Sequence, residues 1–187
     1  MDTDQLRNDL AYVRQTVSGS EQPHSPAAIP LFWAAIIAVG FPMVDLAPHY
    51  VGWFWGVAGP AGFLVSCAIG WWSGRQRGQL SRSVGMKYVA HWAALLVTIF
   101  LAVGLVKTTQ ITAKGFGALI LLLLAVVYFL GGVHLEPRLR WVSLVAAAGY
   151  VLVLFVSTYV WTIVGAALAL TLVLTAMVGG AASAEGV

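Results

Sequence analysis

In a chain with few polar residues, the groups able to do chemistry are quickly found. His91 and His134 stand near matching ends of two apolar segments joined by a short loop. Two imidazoles on facing antiparallel helices can ligate haem iron axially or hold a metal ion. Arg82, Arg138 and Arg140 are close enough in sequence to pair with haem propionates. No third ligand and no Cys-x-x-Cys-His run accompanies the pair. The plainer reading of each is an interfacial imidazole hydrogen-bonded to backbone or water.

Asp45 and His49 form a second pair, four residues apart with Pro48 between them. A carboxylate at the edge of a membrane can accept a proton or hold a cation, as the outer mouth of a small channel or transporter would require. The same residues can also simply close a helix end. Beyond these pairs the sequence holds no phosphate-binding loop, nucleophile elbow, His-Glu-x-x-His pair or Cys-x-x-Cys. No two carboxylates share one apolar segment, so the set of groups an intramembrane enzyme needs does not assemble. Cys67 is the one cysteine, so the chain has no internal disulfide, and it reads as a small apolar packing residue.

What must position these groups follows from composition. Of 187 residues, 60% are apolar and 9% charged, against roughly 25% charged in a soluble domain. This excludes an ordinary soluble domain, a disordered chain and a disulfide-knit module. It leaves an integral membrane protein. The charged residues divide the chain into apolar segments at about 27–46, 50–73, 88–106 and 115–135, followed by residues 141–180 with no charge at all. As one helix those 40 residues would be ~60 Å long, twice the hydrocarbon thickness. The chain must turn back near residues 157–161, which gives spans at 141–157 and 161–180. The expectation is an all-α integral membrane protein with six transmembrane helices. No alternation with period two, as in a β-barrel, is present.

An even number of spans puts both termini on one side. That side carries Arg7, Arg14, Arg75, Arg77, Arg82, Lys87, Arg138 and Arg140, whereas Lys107 and Lys114 lie on the other. The positive-inside rule then places both termini in the cytoplasm, at an inner or plasma membrane. The net charge of +3 reports this topology and does not point to nucleic acid. All eight Trp residues fall near span ends, as interfacial anchors would.

Residues 1–26 do not read as a signal peptide, because Asp2 and Asp4 occupy the start. Leu6, Leu10, Val13 and Val17 form one stripe of a short amphipathic cytoplasmic helix. Its net acidic polar face disfavours anionic lipid and points the stripe at a protein surface. Residues 181–187 are small and polar enough to fray. Within the second span, Gly62, Ser66 and Gly70 are spaced by four and form a groove for close helix packing, within the bundle or between protomers; Gly165 and Ala169 do the same more weakly in the sixth. Pro42 and Pro60 are expected to kink spans one and two. Trp-Ala-Ala followed by aliphatic residues recurs at Trp33 and Trp92, a likeness that interface anchoring explains without a repeat. Mid-span polar residues are few: Ser66, Thr98, Tyr150, Thr171 and Thr175. A water-filled path needs more. The leading expectation is therefore a non-enzymatic membrane component that assembles with itself or a membrane partner, ahead of a channel or transporter and of a haem-holding redox subunit.

Overall fold

The computed structural model describes residues 25–76, 82–108 and 110–184. The expected amphipathic helix, with Leu6, Leu10, Val13 and Val17, lies outside the described residues. Every element among them is an α-helix. In chain order these are α1 (Ala28–Gly40), α2 (Pro42–Leu46), α3 (Pro48–Gln76), α4 (Arg82–Lys107), α5 (Ala113–His134), α6 (Leu139–Phe155) and α7 (Val160–Ala184).

Five stretches are long and apolar enough to cross a bilayer: Ala28–Leu46, Pro48–Gln76, Gly85–Lys107, Lys114–His134 and Val160–Val178. The fifth expected span, α6, is apolar but has only 17 residues, ~25 Å at ~1.5 Å per residue. The described residues thus form an all-helical bundle with the long apolar helices of a multi-pass membrane protein. The expected fold-back is a turn at residues 156–159. Val156 goes extended to end α6, and Tyr159 takes a left-handed φ of 51° before α7 begins. Pro42 interrupts the first span at Phe41, as expected, because proline has no N–H to continue the ladder. Pro60 sits inside α3, which continues through it. At the far end, α7 runs to Ala184, so the first four of residues 181–187 are helical.

The helices form a ring in which α1 packs on α3 and α7, α7 on α6, α6 on α5, α5 on α4 and α4 on α3. The buried core comes from α1, α5, α6 and α7. Of α3 only Gly62 is buried. Lipid tails are as apolar as leucine, so close packing of small residues, not hydrophobic burial, holds such helices together. The α5–α6 seam follows this rule. Ala118, Leu121 and Ala125 on α5 face Val142, Ala146, Gly149 and Val153 on α6, with spacings of three and four. Gly149 also admits Val164 of α7: a Cβ there would lie 2.6 Å from Val164 Cγ1.

Ser143 is the one buried polar residue among those described, and its hydroxyl donates to the Ala125 carbonyl across the seam at 2.7 Å. Interhelical bonds of this kind contribute about 0.6 kcal/mol and at most about 1.7 kcal/mol in a membrane. Ser143→Ala is expected to lose an amount in that range, measured as a shift in the SDS unfolding midpoint. Ser143→Val, which adds volume to a filled seam, is expected to lose more.

Three tryptophans depart from the expected interfacial belt. Trp161 is buried, its ring filling the space above Gly117 of α5 and tilted against Phe41 of the first span. Trp55 meets Phe41 edge-on and covers Gly40. Trp33 packs on Gly62 of α3. Each lies beside a glycine on a neighbouring helix, and the missing side chain makes room for an indole. Trp53, Trp71, Trp72 and Trp141 remain exposed near helix ends, as anchors would be.

Candidate functional site

At the end of the bundle away from the Arg-rich loops, the first span closes against α7. Asp45 follows the break at Pro42, which turns its side chain toward the 156–159 turn. Its Oδ2 accepts from the backbone N–H of Thr162 at 2.7 Å and from the Thr162 hydroxyl at 2.8 Å. Thr162 lies in the first turn of α7, where helix N–H groups have no intrahelical partner and the helix dipole favours an anion. Asp45 is therefore an N-cap supplied by another helix. Asp45, Leu46 and residues 157–159 line an open cavity of about 390 Å³ beside it. His49 is exposed and meets the Tyr50 ring edge-on, 5.2 Å between centroids. The two residues of this pair are thus turned to different partners, and the carboxylate has a structural task.

At the Arg-rich end, the tight α5–α6 hairpin sets the geometry. Gly131 and Gly132 precede the turn, and the Arg140 guanidinium Nε–H donates back to the Gly132 carbonyl at 3.0 Å. Across the turn Arg138 and Glu136 form a loose ion pair at 3.9 Å. His91 of α4 comes over the same place. Its Nε2 lies 3.1 Å from the Val127 carbonyl, and it would be 3.2 Å from a Cβ at Gly131. A helical carbonyl has two lone pairs, so Val127 accepts the imidazole N–H beside its ladder bond. Trp92 meets His91 edge-on and then Tyr128. His134 is exposed in the last turn of α5.

His91 therefore joins α4 to α5 by a hydrogen bond through the nitrogen that an iron ligand would need. Protein purified from a haem-replete host is expected to show no Soret band. A Soret band in the wild type that disappears in His91→Ala would overturn this assignment. Conversely, His91→Phe is expected to weaken the α4–α5 contact by about 1 kcal/mol.

The groove on α3 divides in two. Gly62 and Ser66 face inward. A Cβ at Gly62 would come within 2.9 Å of the Trp33 ring. The Trp33 indole N–H donates to the Ser66 hydroxyl at 3.0 Å, and that hydroxyl donates to the Gly62 carbonyl at 2.8 Å. These two residues bind α1 to α3 within one chain. Gly70, expected on the same face, does not join them: among the described residues a Cβ there would meet nothing within 4 Å. The same open space surrounds Gly52, Gly56 and Gly59. The space at Gly165 is filled by Phe41, whose Cβ a Cβ at that glycine would strike, and Ala169 packs against the core.

The mid-span hydroxyls turn inward to their own helices. Thr98 donates to Ala94 O, Thr171 to Ala167 O and Thr175 to Leu172 O, each at 2.8 Å. Each hydroxyl so spends its one donor within its own helix. No group of three or more His, Cys, Asp or Glu able to hold a metal occurs among the described residues. Three features escaped sequence reasoning: the Thr162 partner of Asp45, the buried Ser143 and the Gly131-Gly132 hairpin. Only the last two left a trace, in the three-four spacing along α5 and α6 and in paired glycines directly before a turn. No family model, curated protein or solved structure matches this chain.

Proposed function

We propose that this chain is a non-catalytic subunit of a cytoplasmic membrane, with both termini on the cytoplasmic side, that assembles with a second copy or another membrane protein through the outer face of α3. The observation that carries the reading is the open glycine face. Gly52, Gly56, Gly59 and Gly70 would each accept a Cβ without meeting anything among the described residues. At ~100° per residue they fall within a sector of roughly 60°. Glycines in a helix interior weaken it by roughly 1 kcal/mol each relative to alanine, and close approach of another helix is what offsets that cost. Turned roughly 60–100° beyond the edge of this face, the exposed Trp53, Val57 and Leu64 supply large side chains on another strip of the same helix.

The orientation rests on eight basic residues at one end against two at the other. A channel or transporter draws support from the cavity at Asp45. It is disfavoured because polar residues in the middle of the spans are few, and a water-filled path needs hydrophilic lining.

The test is the mass of the particle in lipid nanodiscs, for wild type and for Gly56→Leu combined with Gly70→Leu. The wild type is expected to run as an oligomer or with a co-purified membrane protein, and the double variant as a folded monomer. A lone monomer in both forms would overturn the proposal. Gly62 is unsuitable for this test, because a leucine there would strike Trp33 and unpack the chain itself.

A further inference from the structure

A groove of about 590 Å³ runs between the first half of α6 and the last half of α7, beginning at Arg138 and Trp141 and reaching Ala148 and Thr171. We propose that it holds one acyl chain of an anionic phospholipid, with the lipid phosphate against Arg138.

Its walls are suited to hydrocarbon. Thr171 and Thr175 are the polar residues deep in the groove, and both hydroxyls are bonded to carbonyls of their own helix at 2.8 Å. What they present inward is mainly methyl. The mouth is different. Trp141 is 65% exposed there, in keeping with a headgroup-level indole. Arg138 has a guanidinium with five donors, of which the Glu136 carboxylate at 3.9 Å satisfies one at most. A cation and an indole above a dry slot match the order of a phospholipid, charge outward and chain inward. A second protein chain laid along the slot would have to cover Arg138 and bring a counter-charge with it, or leave a cation buried in hydrocarbon at a cost of several kcal/mol. The lipid supplies that counter-charge at the correct depth.

The experiment is native mass spectrometry of the full chain released from nanodiscs made of equal phosphatidylglycerol and phosphatidylcholine with identical acyl chains. The wild type is expected to retain one phosphatidylglycerol about fivefold in preference, the factor expected for one basic residue at the membrane surface. Arg138→Gln should equalise the two lipids. Ala148→Phe, a change at an exposed residue inside the groove, should reduce retention of both while leaving helix content and SDS resistance unchanged. Several results would overturn the proposal: no lipid retained by the wild type, no preference in the wild type, a preference that survives Arg138→Gln, or an Ala148→Phe variant that loses a second protein copy instead of lipid.

Discussion

Gly132→Ala is expected to destabilise the bundle by about 3 kcal/mol, whereas Gly131→Ala, one residue earlier, is expected to change it by less than about 1 kcal/mol. Both glycines sit in the last turns of α5, and both would gain similar helix propensity from a methyl group. What the methyl meets decides the outcome. At Gly132 it would strike Arg140 Cγ and stand 2.8 Å from the Arg140 backbone nitrogen and 3.3 Å from its Cα. Backbone cannot step aside by changing rotamer, so α6 must move and the 3.0 Å bond from Arg140 to the Gly132 carbonyl is lost with it. At Gly131 the nearest atoms are Leu139 Cδ1 at 3.0 Å and His91 Nε2 at 3.2 Å. Both are ends of side chains that can give by a few tenths of an ångström. Gly165→Ala belongs with Gly132, since its methyl would strike the Cβ of Phe41, an atom fixed to the first span. Loss of circular dichroism during SDS titration of mixed micelles measures all three. Equal midpoints for the Gly131 and Gly132 variants would show that the hairpin is looser than these distances imply.

The elements were largely readable from sequence because placing charge in hydrocarbon is costly, and so charges mark span ends without any knowledge of packing. The turn at 156–159 followed from length alone: residues 141–180 are too long for one crossing. Which face each helix shows to its neighbours was much less readable. At ~100° per residue, one position of uncertainty turns a lipid-facing side chain into a buried one. Trp161 illustrates this. A tryptophan near a span end looks like an anchor, and only the empty space at Gly117, on a helix distant in sequence, makes it part of the core. The same is true of Gly62 and Ser66. Their spacing announced a groove, but Trp33 as its occupant is a property of the fold. His91 and His134 were close enough in depth to invite pairing. In the fold His91 turns onto the Val127 carbonyl, and His134 ends α5 in an exposed position. Functional groups were thus visible as residue types, while their partners depended on rotations that composition does not encode.

Asp45→Ala is expected to cost about 2–3 kcal/mol, the sum of a lost helix cap and a lost charge at a helix N-terminus. The residue is 117 positions from Thr162, so its carboxylate also fastens the first span to the last. Without it, the Thr162 N–H and hydroxyl face a half-buried region with no acceptor, beside a turn already bearing the left-handed Tyr159. Asp45→Asn keeps an oxygen able to cap and loses only the charge, so about half of that cost is expected. Thr162→Val removes the hydroxyl bond and leaves the N–H bond, at a cost of about 1 kcal/mol. The double variant Asp45→Ala with Thr162→Val should then cost less than the two single changes added together, because each removes the same bond. This cycle separates the two roles available to the carboxylate. If Asp45 served proton or cation movement, Asp45→Asn would abolish flux in proteoliposomes while stability stayed close to wild type. If it caps α7, stability falls in the order wild type, Asn, Ala, and the coupling to Thr162 is measurable. Stability unchanged within ~0.5 kcal/mol in Asp45→Ala, well below the usual cost of a lost cap, would remove the structural role and return the residue to chemistry at the cavity it lines.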